Sequence, residues 1–343
     1  MTDSNRVIFI VGNSRSGTTM LGRIFGSHSQ VHTFGELHFF EQIVSEKIVK
    51  LGECWPSDRL LTMLERLITS AREGLFCPVT VGKYRSDAEK ILNLTSKRDP
   101  VSVYECFLRE ETRRHRKHIP CEQTPRYLFS AIDILNSFPD ARMINLVRDP
   151  RDVLLSQKNK WRRRFLGAKN IPLSEAFRSW VNYHPYTIAR LWVSSVRMAQ
   201  ELEGHDRFMS LHFENLLKDP EQNIKNLCDF TGLTYEVEML SVPQVGSSSG
   251  MDHPGRLGID NTKASGWKKG GISKTELAIC QSVASQEMRR LGYEFEPVSV
   301  PLWRRWLSMV TFFLKISIAL LLNLRRSKNI VRSIRRRLIK PKK

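Results

Sequence analysis

The sequence predicts an α/β fold in which helices cover both faces of a central parallel sheet, with a helical insertion and a basic amphipathic helix at the C-terminus. Three observations carry this. Short apolar runs of strand length (7–11, 142–147 and 208–213) recur along the chain, each followed by a turn or cap signal and a helical stretch. The 343 residues, 41% hydrophobic and 9% aromatic, suit one large domain with a real core. Charge divides the chain. Residues 301–343 hold 13 Lys and Arg and no acid, which leaves 41 basic against 35 acidic residues in 1–300.

In order, the first strand (7–11) passes through a Gly/Ser turn into a helix from near 17 to about 27. Residues 37–120 are mainly helical in pattern, with apolar residues at helical spacing over 60–71, and are expected to form an insertion that shapes a substrate pocket. A helical stretch at 128–138 stops at Pro139. The strand at 142–147 leads to Asp149-Pro150, with Pro in the first turn of a helix running to about 161. One long helical pattern spans 174–202. After the third strand (208–213), Asp219-Pro220 opens a helix that ends at Thr231-Gly232. Residues 243–271, rich in Gly and Ser, are expected to form a long loop of the kind that serves as a lid. Ser273-Lys274-Thr275-Glu276 spells a capping box for a helix closed by Gly292. The division expected is a body over 1–300 and a tail over 301–343.

The six cysteines are scattered, with no CxxC pair, and the first residues lack a basic region leading into a long apolar core. A reducing, cytoplasmic setting is expected. The mildly basic body suits a small polyanionic ligand and calls for no nucleic acid.

Gly12-Asn13-Ser14-Arg15-Ser16-Gly17-Thr18-Thr19 has the GxxxxG spacing of a phosphate-binding loop between a strand and a helix, hence a P-loop-like three-layer fold. Thr18 stands where a nucleoside-triphosphatase loop carries Lys, and the cation is instead Arg15, inside the loop. The loop offers backbone N–H groups, Arg15 and the hydroxyls of Ser16, Thr18 and Thr19 to an anion, with no evident metal arrangement. A second anion site is readable after the strand at 142–147. Arg148 lies at the strand end and Ser156 two turns into the following helix, so a guanidinium fork and a neutral donor can converge on one phosphate. Pairing of Arg148 with Asp149 or Asp152 at the helix start is the plain alternative.

Together, RSGTT after the first strand and LVRDPRDVLLS after a later one resemble the sulfotransferases that use 3′-phosphoadenosine 5′-phosphosulfate (PAPS). The likeness is greatest to the branch with RSGTT that includes tyrosylprotein sulfotransferases and many bacterial enzymes, and it covers roughly 6–40 and 121–295. It implies PAPS as co-substrate, no metal, a 5′-phosphosulfate loop at Arg15, Ser16, Gly17, Thr18 and Thr19, and a 3′-phosphate site at Arg148 and Ser156, with Lys160 as a second basic group. His28, Gly35 and Glu36 match the family's HP…GE stretch, which makes Glu36 the expected general base; His38 is the second candidate. Phe213 replaces a family Tyr and is expected to stack on the adenine, and Ser265 and Trp267 match a late segment that closes over the cofactor. Gln123 stands where the family often carries Lys, so the positive charge that balances the transferring sulfuryl group is expected from Arg15, with Lys83 or Arg126 as further candidates. The implied reaction is in-line displacement at sulfur by an acceptor hydroxyl or amine on a small molecule, glycan or lipid.

The tail has an apolar run over 307–324, broken by Lys315, whose charge would cost about 2.5–3.5 kcal/mol at the centre of a membrane span. Ser308, Thr311, Lys315, Ala319 and Asn323 form a narrow polar stripe. The expectation is an interfacial helix with a polybasic extension on an anionic membrane, hence a protein peripheral to the membrane; a helix docked on the body or a short anchor remains open. So do two other classes. A P-loop kinase or NTPase would show Mg·ATP dependence. A non-catalytic membrane-binding protein would lose all activity with residues 301–343 and none with Arg15.

Overall fold

The computed structural model describes residues 6–43, 53–166, 168, 171–245 and 253–323. Strand β1 (Ile8–Gly12) is buried along its whole length and leads through the glycine loop into helix α1 (Thr18–Gly26) and strand β2 (Val31–Phe34). Helices α2 (Ser57–Arg72), α3 (Arg85–Asn93) and α4 (Pro100–Arg114) precede strand β3 (Ile119–Glu122). A 3-10 turn (Pro125–Ser130) and α5 (Ala131–Ser137) bring the chain to β4 (Arg142–Val147). After it come α6 (Pro150–Lys158), a 3-10 helix (Lys160–Phe165), α7 (Leu173–Val181), α8 (Pro185–Gln200) and β5 (Phe208–His212). Then follow α9 (Phe213–Lys218), α10 (Pro220–Thr231), a ribbon of β6 (Pro243–Gln244) and β7 (His253–Leu257), α11 (Lys274–Val283), α12 (Ser285–Arg290) and α13 (Leu302–Asn323).

Strands β1 to β5 form one parallel sheet in the order β2-β3-β1-β4-β5, and β1 pairs in register with β4 from Ile8↔Arg142 to Gly12↔Leu146. Alternation along β1 explains the layers. Val7, Phe9 and Val11 pack into a core with Phe34, Tyr104, Phe107 and Tyr127, while Ile8 and Ile10 join Leu21, Ile24, Leu216 and Leu227 on the other face. A third cluster, around Trp192, Val193, Leu154 and Cys280, holds α6, α8 and α11 together.

Helix starts follow their caps. Asp149 accepts from the Arg151 backbone N–H at 2.8 Å, Asp219 from that of Gln222, and Ser273 and Glu276 close a reciprocal capping box. Several boundaries depart from the sequence expectation. The pattern over 174–202 is two helices, because Pro185 cannot continue a helix and instead takes the first turn of α8 behind His184. The third strand ends at His212, and Phe213 begins a helix. The helix expected to reach Gly292 is two, α11 and α12. The loop over 243–271 carries the β6–β7 ribbon and two 3-10 turns, with 246–252 outside the described residues.

Helix α13 lies against α7 and α11. The Ser308 carbonyl accepts from His184 Nε2 at 3.0 Å, Lys315 Nζ donates to the Tyr183 carbonyl at 3.1 Å, and Phe312 packs edge-on against Tyr186. Ser308 and Lys315 of the polar stripe therefore face the body. No described helix is long and apolar enough to cross a membrane.

Candidate active site

The residues singled out in the sequence lie at the carboxyl ends of the parallel strands, where open α/β sheets bind ligands. The glycine loop follows β1, Glu36 and His38 follow β2, Gln123 follows β3, Arg148 follows β4 and Phe213 follows β5.

The loop needs both its glycines. Gly12 has φ +147°, and a Cβ there would sit 2.5 Å from the Leu146 carbonyl oxygen of the adjacent strand. Gly17 has φ +99°, and its Cβ would meet the Phe213 ring at 2.5 Å. Gly17 is also the N-cap of α1, with no side chain capping that end and no acid in the first turn. The first amides of the helix thus remain available to an anion, in the favourable field of the helix terminus. Thr18 is buried, Thr19 is exposed, and the buried Ser16 hydroxyl has no hydrogen-bond partner.

Arg15 has a left-handed backbone (φ 76°), a conformation that costs a non-glycine residue about 1–3 kcal/mol and is typical of functional loops. Its Nε donates to Ser156 Oγ at 3.0 Å, and Arg148 donates to its carbonyl oxygen at 3.3 Å. The structure thus brings Arg15, Arg148 and Ser156 together. Desolvation lowers the Arg15 pKa to about 10, Arg163 and Arg148 push the same way, and Glu36 opposes them. Lys160 shifts in the same direction, to about 8: desolvation among the surrounding side chains leads, Arg15, Arg126 and Arg178 add to it, and Glu36 works against it. So dense a group of cations favours a polyanion. Arg163 and Arg178 escaped the sequence reading; the run KWRRRF over 160–165 carried a signal for Arg163.

Arg148 also donates to the Lys263 carbonyl at 2.8 Å and lies 3.7 Å from Asp152, so the helix-start pairing considered for it exists beside its contact with the loop. Its buried Nε has no hydrogen-bond partner. The second arginine of the motif does different work. Arg151 is buried, paired with Asp149 at 2.7 Å and bonded to the Glu294 carbonyl, and so ties α6 to the chain beyond α12. Its guanidinium stacks 4.1 Å over Trp267.

Phe213 lies beneath the loop. It is only 3% exposed, with Gly17 against its ring and the Arg148 guanidinium 4.4 Å above it. Phe213 is thus a floor that shapes the loop and carries Arg148. The Ser265–Trp267 turn lies over the start of α6: the Trp267 backbone N–H donates to Asp152 at 2.9 Å, Ser265 has φ 54°, and the buried indole N–H has no partner.

Glu36 and His38 form a chain with Glu41, which the sequence reading missed though it sits three residues from His38. His38 Nε2 is 3.1 Å from Glu36 and Nδ1 is 2.9 Å from Glu41. Burial alone would lower the His38 pKa, but the hydrogen bonds and charges of the two carboxylates override it and raise it to about 9. Burial likewise would raise Glu36; the bond from His38, then the charges of His38, Lys160 and Arg126, hold its carboxyl below the usual range. His38 adopts φ 54°. The segment is held from below by buried Glu122, which accepts from the Leu37 backbone N–H at 3.2 Å and from Thr124. Gln123 is 7% exposed, and its side-chain oxygen has no partner. His28 sits elsewhere, bonded to the Thr234 carbonyl at 2.9 Å. Lys83 pairs with Glu73 in the helical segment.

Comparison with known proteins agrees with this geometry. A family model described as "Sulfotransferase family" matches residues 7–237, from β1 to beyond α10. An uncharacterised protein of Aquifex aeolicus is 28% identical over 249 residues, which are 69% of this chain and 27% of that protein. Sulfotransferase 2A6 of Rattus norvegicus is 31% identical over 127 residues, 36% of this chain and 40% of that one. The chain thus spans less than half the length of these curated relatives. Among solved structures, the sulfotransferase domain of the Synechococcus PCC 7002 olefin synthase superposes with a TM-score of 0.51 at 20% identity, covering 85% of this chain and 96% of that domain. The sulfotransferase domain from the curacin biosynthetic pathway does so with 0.50 at 22%, covering 84% and 98%. These two likenesses speak to the fold; the family match extends over about two thirds of the sequence. The chain belongs to the sulfotransferase family.

Proposed function

We propose that this protein transfers a sulfuryl group from PAPS to an acceptor hydroxyl or amine, with Glu36 as general base. The observation that carries the reading is the meeting of Arg15 and Ser156 at 3.0 Å, with Arg148 on the Arg15 carbonyl, beside the Glu36–His38–Glu41 chain. Cations from two strand ends, beside a carboxylate pair bridged by His38, suit a donor that carries two phosphate groups and an acceptor that must lose a proton. The buried polar atoms of Ser16, Arg148 and Trp267 that lack partners are donors of the type a phosphate recruits.

In this reading the α1 amides, Ser16, Thr18 and Thr19 hold the 5′-phosphosulfate, and Arg148, Ser156 and Lys160 hold the 3′-phosphate. The Ser265–Trp267 turn covers the nucleotide. Glu36 takes the proton from the acceptor as its oxygen or nitrogen bonds to sulfur, and the bond from sulfur to the 5′-phosphate oxygen breaks. The charge left on that phosphate is stabilised by Arg15 and the loop amides. His38, held protonated at neutral pH, does not serve as base; it fixes the Glu36 carboxylate and keeps it ionised. Gln123 brings no charge, so Arg15 carries the role that a lysine at 123 would share.

The test is turnover. The purified chain is incubated with PAPS and a panel of alcohols, phenols, amines and lipids, and 3′-phosphoadenosine 5′-phosphate (PAP) is measured as it forms. Acceptor-dependent PAP release without added metal, lost in Arg15→Ala, supports the reading. Turnover of Mg·ATP in its place contradicts it.

A further inference from the structure

Helix α13 is amphipathic in an inverted sense. Ser308 and Lys315 face the body, as their bonds to His184 and Tyr183 show. The opposite face exposes Trp303, Trp306, Val310, Phe313, Leu314 and Leu321, each between 45% and 72% accessible, at positions that recur every three or four residues. On α7, against which α13 packs, Phe177 and Trp180 are half exposed as well, with Lys315 Nζ 5.1 Å from the Trp180 ring. At on the order of 100 Å² per half-exposed large side chain, the surface exceeds the few hundred Å² that soluble monomers leave open.

We infer that this face docks in the plane of a bilayer surface containing anionic lipid. Charge selects that occupant. Arg304, exposed beside Trp303, lies at one end of the helix, and residues 324–343 add ten Lys and Arg with no acid. A second copy of this chain would bring the same charges to the contact and repel, whereas acidic headgroups attract them. Tryptophan beside arginine at a helix end is the composition that settles at a headgroup boundary. The face is a stripe along one side of a helix whose other side is polar and occupied, so the helix lies on the surface rather than across it.

The location bears on the acceptor. Helix α7 contributes Arg178 to the field around Lys160, and the 3-10 helix preceding it carries Lys160 and Arg163. Docking through α13, which packs on α7, brings the cleft near the bilayer, which favours an amphiphile presented from the membrane as acceptor. This last clause rests on the sulfotransferase reading; the docking itself does not.

The experiment uses the full chain and sedimentation with vesicles of neutral phosphatidylcholine, alone or with one third phosphatidylglycerol. Binding to the anionic vesicles is expected, weakening as salt rises, with little binding to the neutral ones. Trp306→Glu with Phe313→Glu should lower it at least tenfold, and Arg335→Ala with Arg336→Ala and Arg337→Ala on the order of a hundredfold at low salt. PAP affinity, measured in parallel on each variant, should stay at the wild-type value, which shows that the chain is folded and separates this proposal from the sulfotransferase reading. Equal binding by wild type and the Trp306/Phe313 variant overturns the inference. So does absence of vesicle binding, or a wild-type dimer that the same substitutions convert to a monomer.

Discussion

Replacing Glu36 by Gln separates the base from the binding pocket. The side chain keeps its shape and loses its charge. A positioned general base contributes about 10²–10⁴ in rate, or roughly 3–5 kcal/mol of barrier, so kcat should fall by that factor. PAP is held in this account by the loop, Arg148 and Ser156, so its affinity should change by less than about threefold. The substitution has a second consequence through His38. Its pKa, raised from 6.5 to about 9 by two carboxylates against the pull of burial, corresponds to at most about 3 kcal/mol of preference for the charged imidazole in the folded protein. The Glu36 side chain is 39% exposed, so water screens its share, and the variant should lose only about 1 kcal/mol. Because the pKa is raised, this stabilisation is fully present below pH 6.5 and disappears as the pH climbs through 9. The wild type should therefore exceed the variant in unfolding free energy at pH 6 and match it near pH 10. The assays are PAP release at saturating PAPS and urea unfolding across pH. A loss of kcat below tenfold, or equal stability at pH 6, refutes the role given to the Glu36–His38 pair.

Other substitutions divide binding from folding. Arg15→Ala should cost about 10²–10³ in kcat, by analogy with the loss of a preorganised charge-stabilising donor, as read by the same PAP-release assay. Gly17→Ala places a methyl group 2.5 Å from the Phe213 ring on a φ of +99°, so calorimetric unfolding should show a loss of at least about 2 kcal/mol together with loss of PAP binding. Arg151→Ala leaves Asp149 buried without its partner and should destabilise the fold by about 3–5 kcal/mol in denaturant titration, unlike Arg148→Ala, whose main deficit should be in nucleotide affinity. Gln123→Ala removes a buried neutral group and should lower kcat by less than tenfold.

What the sequence disclosed was mostly local. The loop from Gly12 to Thr19, the Asp149 and Asp219 caps and the Ser273 capping box depend on neighbours within four residues, and each is written in a short motif. The parallel sheet followed from alternating strand and helix patterns. Contacts across the chain were not legible. No pattern in residues 208–216 announces that Gly17 lies against the Phe213 ring; the stacking role expected of that ring came from resemblance alone. The roles of Glu36 and His38 came from resemblance, and their linkage through Glu41 required the turn after β2. Periodicity in α13 identified a polar and an apolar face but not which of them meets the protein; that depended on acceptors at Tyr183 and a donor at His184, more than 120 residues away in sequence.

The central claim is that the strand-edge cations form a site for a 3′-phosphorylated adenine nucleotide. Calorimetric titration of the full chain with PAP and, separately, with Mg·ATP tests it most directly, with Arg148→Ala as the control. The account predicts metal-independent PAP binding that weakens by about 10–100-fold in the variant, as the loss of a charge-assisted phosphate contact implies. Binding of Mg·ATP without binding of PAP, or PAP affinity unaffected by Arg148→Ala, would contradict it.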